Sequence, residues 1–166
     1  MTHPSNNQNN QNKTTSFFIK FIGTGLFSGY SPVASGTAGS AVALLFFLIP
    51  QFSNLIVLIP TIIIAFVLGG IAAEKLEKLY GQDPKQVTID EVVGMWISMI
   101  GLALTWQNIL AAFLIFRILD ILKPYPAAYF DKKSGGWNIM LDDVIAGIYT
   151  NLILQIAIRF IPSFNL

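Results

Sequence analysis

From Leu55 to Ala73 the chain carries no charged side chain. A run of this length and composition reads as a membrane-spanning helix, since crossing the hydrocarbon takes roughly 20 apolar residues. Val92–Trp106, Ile109–Leu122 and Val144–Ile161 repeat the pattern. A fifth run, Ser40–Pro50, is short; it either begins earlier, near Gly36, or is re-entrant. Of the 166 residues, 54% are hydrophobic and 11% charged, where a soluble domain carries roughly 25% charged. The expected fold class is all-α, an integral membrane helical bundle with about four to five membrane-embedded helices. Residues 16–166 form a single domain. The Asn/Gln-rich tail before it, residues 1–15, buries too little apolar area to offset its ordering entropy and is expected to be disordered.

Several chemistries are excluded at once. A net charge of +1 gives no case for nucleic-acid binding. The absence of cysteine removes disulfides, thiolate metal sites and cysteine nucleophiles. The one histidine, His3, lies in the tail, so a phosphohistidine route is closed. No Asp-x-Asp occurs, which argues against the aspartyl-phosphate phosphatases of the haloacid dehalogenase class. The polar tail and the Gly/Ser/Pro segment ahead of the first apolar run are the wrong anatomy for a cleavable signal peptide.

The charges segregate. Lys13, Lys20, Lys75, Lys78, Lys85, Lys123, Lys132 and Lys133 fall in the tail or the two longer loops, and only Arg159 lies at the opposite end. By the positive-inside rule the tail and those loops are cytoplasmic; five spans would then leave the C-terminus outside. The carboxylates follow the same side, from Glu74, Glu77 and Asp83 to Asp131. Acidic residues do not set topology, so a single acidic site at the inner boundary is the economical cause.

Two carboxylate pairs, Asp90–Glu91 and Asp142–Asp143, each open an apolar run. One reading is helix N-terminal chemistry, where an acidic first turn gains about 0.3–1 kcal/mol. The other is a divalent cation relieving clustered negative charge beside lipid; oxygen-only ligands favour a hard ion such as Mg²⁺. Arg117, Asp120 and Lys123 are spaced i, i+3, i+6 along one helix face. They form either an Arg–Asp pair with a snorkelling Lys or an anion clamp, with Arg117 and Lys123 on phosphate oxygens and Asp120 on the metal or orienting Arg117. The segment GTGLFSGYSPVASGTAGS, Gly23–Ser40, offers Thr24, Ser31, Thr37 and Ser40 as phosphate or headgroup contacts, or serves as linker and packing surface. It is no P-loop, since no Gly-Lys-Ser/Thr follows. Asp143, Gly147, Asn151 and Gln155 make a stripe of period four, and Gly94, Ser98 and Gly101 a similar one. These read as helix-packing surfaces with interhelical hydrogen bonds, with an ion path as the alternative.

IDEVVGMWISMIG, FRILDILKPYPAAYFD, GGWNIMLDDVIAG and GTGLFSGYSPVASGTAGS, in chain order from Gly23 to Gly147 once the last is placed first, together resemble the phosphatidylglycerophosphatase A family. The resemblance implies a Mg²⁺-dependent lipid phosphatase of the bacterial inner membrane, with its site facing the cytoplasm. It would convert phosphatidylglycerophosphate to phosphatidylglycerol and phosphate in phospholipid biosynthesis. It carries the family's acidic positions to Asp90, Glu91, Asp120, Asp131, Asp142 and Asp143, and its basic ones to Arg117 and Lys123. Asp90, Glu91, Asp120, Asp142 and Asp143 are thus the expected catalytic and metal-binding set. Ser35, Ala38 and Asn138 depart from the family pattern and leave every charged position intact. A phospholipid-modifying transferase and a small ion-coupled transporter are the alternatives; the first lacks its CDP-alcohol signature, and the second lacks an inverted repeat.

Overall fold

A computed structural model describes residues 16–160. The expected tail disorder, His3 and the last residue of the final apolar run, Ile161, lie outside them. The described residues are helical, with no strand among them. The helices are α1 (Phe17–Gly23), α2 (Ser35–Leu45), α3 (Leu55–Tyr80), α4 (Ile89–Ser98), α5 (Trp106–Leu122), α6 (Ala127–Asp131) and α7 (Gly136–Phe160). Single 3₁₀ turns sit at Ser28–Tyr30 and Phe46–Leu48.

Local chemistry sets several boundaries. The Asn54 side chain accepts from the Ile56 amide at the start of α3, and Thr105 accepts from the Asn108 amide at the start of α5. Gly81, at φ +102, ends α3 in a conformation that suits glycine. The start of α7 is capped from another helix: the amides of Gly135 and Gly136 donate to Glu77 and Glu74 of α3, at 2.8 and 2.9 Å.

Two helices, α3 and α7, are long and apolar enough to cross a membrane. At 1.5 Å per residue each exceeds the roughly 30 Å of hydrocarbon. The five apolar runs therefore do not become five equal spans. The Val92–Trp106 run is helical only to Ser98, because the chain turns at Met99–Gly101 while the sequence stays apolar. Its terminal carbonyls find partners on α7: Asn151 donates to the carbonyls of Ser98 and Ile100 at 3.1 and 2.8 Å, and Gln155 to that of Ile100 at 3.2 Å. Ser40–Pro50 belongs to a helix that begins earlier, at Ser35, and is still short.

Short α4 is the centre of the bundle. It packs on α7, α2, α3 and α5, and its residues are almost all buried. Trp96 donates its indole N–H to the carbonyl of Ala43 at 2.9 Å, fixing α2 against it. The outside of the bundle is apolar instead: Ile56, Ile63 and Ile64 on α3, Ile118 and Ile121 on α5, and Ile156 on α7 are all exposed. Asp90, Asp142, Asp143, Ser98, Asn108 and Thr150 are inside. Such an inverted distribution suits a lipid solvent.

Candidate active site

The acidic residues converge because of how closely α4 and α7 cross. A Cβ on Gly147 would lie 2.4 Å from the carbonyl oxygen of Gly94, and one on Gly94 would lie 2.7 Å from that of Asp143. Only hydrogen fits at this crossing. One turn before each glycine stand Asp90 and Asp143, so the contact brings the two carboxylates together. Glu91 follows Asp90 in the first turn of α4. One oxygen from each of Asp90, Glu91 and Asp143 lies within 4.8 Å of the others.

These carboxylates are poorly compensated. Asp143 is 2% exposed and Asp90 8%. Asp90 Oδ1, Glu91 Oε2 and Asp143 Oδ2 are buried with no hydrogen-bond partner. At an effective dielectric constant of about 20, two such charges at this separation repel by about 3 kcal/mol. The nearest cation is Arg117, whose Nη1 is 4.0 Å from Glu91 Oε1 but only 2.6 Å from Asp120 Oδ2. Its Nε has no partner. The donor set is oxygen alone, buried and repulsive, which fits a hard divalent cation.

Arg117, Asp120 and Lys123 do share one face at the end of α5, but they do different work. Lys123 is surrounded by carboxylates: it bonds Asp142, lies 2.7 Å from Asp131 and 4.0 Å from Asp120. Burial works against its charge, yet Asp142 and Asp131 together hold its ammonium above the ordinary lysine range. Lys123 thus ties α5 to α7 and to α6. Asp142 faces this lysine, and its Oδ1 also accepts from the Asp143 amide at 3.0 Å. Neither Asp142 nor Asp143 opens its helix, since α7 begins at Gly136. Helix-end stabilisation therefore does not account for that pair.

A cavity of about 330 Å³ opens onto this cluster. Five carboxylates line it, Asp83, Asp90, Glu91, Asp120 and Asp143, against three cations, Lys85, Arg117 and Lys123. By formal charge the lining is two short of neutral. The start of α2 closes one wall with Ala34, Ser35 and Gly36. Gly36 is pressed onto the site: a Cβ there would stand 2.2 Å from Glu91 Oε1 and 2.9 Å from Arg117 Nη1.

Three of the four hydroxyls expected from the Gly23–Ser40 segment, those of Thr24, Ser31 and Ser40, are spent on backbone. Thr24 donates to the Lys20 carbonyl at 2.7 Å and accepts from the Phe27 amide. Ser31 donates to the carbonyl of Val33 and Ser40 to that of Gly36. Thr24, Ser31, Thr37 and Ser40 are not among the cavity-lining residues; Ser35 and Gly36 are. The segment still serves the site, because the Thr88 amide before α4 donates to the Gly23 carbonyl at 3.1 Å and Ser28 bonds the Thr88 hydroxyl at 3.0 Å. Asp83, unassigned from sequence, reaches the cavity from the α3–α4 loop; no helical spacing relates it to Asp90. The polar stripe on α7 is accounted for by Asp143 in the cluster, Gly147 at the crossing, and Asn151 and Gln155 on the carbonyls ending α4.

The family model for phosphatidylglycerophosphatase A matches residues 21–158, nearly all of the described chain. The chain belongs to the phosphatidylglycerophosphatase A family. It is an enzyme of the phosphatase class, and two curated relatives carry the family's name. The phosphatidylglycerophosphatase A of Escherichia coli is 35% identical over 136 residues, 80% of this chain and 79% of the relative. That of Haemophilus influenzae is 37% identical over 146 residues, 86% and 89%. A Bacteroides thetaiotaomicron protein named putative phosphatidylinositol-3-phosphatase is 40% identical over 154 residues, 87% of this chain and 96% of its own. No solved structure matches the chain significantly. Family membership implies a phospholipid substrate.

Proposed function

We propose that this protein is a Mg²⁺-dependent phosphatidylglycerophosphatase of the bacterial inner membrane, acting in phospholipid biosynthesis with its site at the cytoplasmic boundary. Family membership supports the reaction. The distribution of lysines supports the orientation. The two long helices would span the bilayer, with α2, α4 and α5 embedded beside them, in line with the four to five membrane-embedded helices expected from sequence.

The observation that carries the metal reading is the trio of unpartnered, buried oxygens on Asp90, Glu91 and Asp143. A phosphate monoester carries up to two negative charges and would be repelled by a cavity lining of net −2. Mg²⁺ held by these three side chains would supply the charge neutralisation and Lewis acidity that phosphoryl transfer needs. Arg117 then donates to the phosphoryl oxygens, strengthening as charge builds there. Asp120 holds the guanidinium in place through their 2.6 Å bond. A carboxylate of the cluster accepts the proton of the attacking water. A new P–O bond forms to that water, the P–O bond to the glycerol oxygen breaks, and the proton ends on the released hydroxyl. Lys123 and Asp142 act as positioning residues that hold α5 and α7 in register.

The Bacteroides relative favours a second reading of the headgroup, a phosphatidylinositol 3-phosphate. Both lipids are phosphate monoesters and would meet the same cluster. Phosphate release by the purified protein from vesicles of each lipid, with and without chelator, distinguishes them. Preferred, chelator-sensitive release from phosphatidylglycerophosphate is expected. Preference for the inositol lipid would move the substrate, and full turnover in chelator would remove the metal.

A further inference from the structure

The cavity is lined by carboxylates and by a helix start. Asp90, Glu91 and Asp143 face it with unpartnered oxygens, of which those of Asp143 and Asp90 belong to side chains more than nine-tenths buried. Against Glu91 and Arg117 stands the start of α2. Its first helical hydrogen bond runs from the Ala38 amide to the Ala34 carbonyl. The amides of Ser35, Gly36 and Thr37 therefore have no partner within the helix. No side chain caps them either, since position 34 is alanine, in the left-handed conformation at φ +47. Gly36 lets this end approach Glu91 and the guanidinium of Arg117 more closely than any side chain would permit. An uncapped helix start of this length carries about half a positive charge and points donors outward.

We propose that the start of α2 is the phosphate cradle of the site: the amides of Ser35 and Gly36, with Arg117, take phosphoryl oxygens, and Asp90, Glu91 and Asp143 take the cation. The inference rests on the phosphatase reading and adds where the anion sits. It also explains why the segment's hydroxyls can be turned to backbone, because the backbone itself is the binding group. A phosphate in the cavity would meet positive charge from the amides, from Arg117 and from the cation.

The test uses the full chain in detergent, with inorganic phosphate as probe, read both as inhibitor of lipid hydrolysis and by direct binding of radiolabelled phosphate in the presence of Mg²⁺. Ala34→Asp puts a carboxylate at the helix start, where it competes with the anion. Aspartate tolerates the left-handed backbone and is a favoured cap, so the fold is retained. Ala34→Asn adds the same bulk without charge. Lys85→Glu changes the cavity lining by two charges, but from the loop wall rather than from α2. The expected result is phosphate affinity weakened at least about tenfold in Ala34→Asp, several-fold more than in Ala34→Asn or Lys85→Glu. Unchanged affinity in Ala34→Asp, or an equal or larger loss in Lys85→Glu, overturns the cradle. Phosphate binding with this ranking but no lipid hydrolysis would overturn the phosphatase reading and leave the cradle standing. A parent protein that neither binds phosphate nor hydrolyses lipid would overturn both.

Discussion

Gly94 and Gly147 touch backbone to backbone, and the distance between their helices sets the distance between Asp90 and Asp143. The cluster is thus built by residues with no side chain. Gly147→Ala would place a carbon 2.4 Å from the Gly94 carbonyl oxygen, so α4 and α7 must part. Overpacking of this kind costs about 1–3 kcal/mol. The expected outcome is a lower unfolding temperature together with weaker Mg²⁺ activation, measured as the cation concentration for half-maximal phosphate release. An unchanged cation requirement would show that the crossing does not set the cluster.

Asp143→Asn separates activity from stability. It removes one of three mutually repelling carboxylates and keeps the side chain's shape. Phosphate release should fall at least about a hundredfold, in line with loss of a group that organises transition-state charge. The unfolding temperature in chelator should hold or rise, because a buried carboxylate crowded by two others is replaced by a neutral amide of the same shape. Normal turnover would remove Asp143 from the metal site.

Lys123→Ala should act through the fold. It leaves Asp120, Asp131 and Asp142 without their shared cation, and uncompensated charge of this kind costs about 1–3 kcal/mol after allowance for partial exposure. Lys123→Arg should recover part of the stability. The check is thermal unfolding alongside KM. A rise in KM at unchanged stability would return Lys123 to the phosphate.

Arg117→Lys should raise KM by about tenfold, since a planar fork is replaced by a point charge. Arg117→Ala should lower kcat as well. Steady-state kinetics on vesicles decide between this and a plain topology anchor, for which neither constant would move.

Much of this was legible in the chain because charge beside apolar sequence has few uses. Asp90, Glu91, Arg117 and Asp143 stand out on that ground alone, and the structure brings them to one cavity. Helix lengths were not legible. Between Val92 and Trp106 only Gly101, at φ +70, marks the end of α4 at Ser98, because the groups that satisfy the carbonyls there, Asn151 and Gln155, come from a helix some fifty residues further on. The start of α7 was hidden for the same reason, being capped by Glu74 and Glu77 from α3. That Ser35 and Gly36 line the cavity was not legible beside the hydroxyls of Thr24, Ser31, Thr37 and Ser40, because hydroxyls look like donors in a sequence and backbone amides do not.

The cavity draws on the start of α2, the start of α4, the end of α5 and the second turn of α7. Asp143 comes on α7, the last of the described helices. A chain whose α7 has not packed lacks one of the three clustered carboxylates. Packing of α7 on α4 and assembly of the cluster are thus one event.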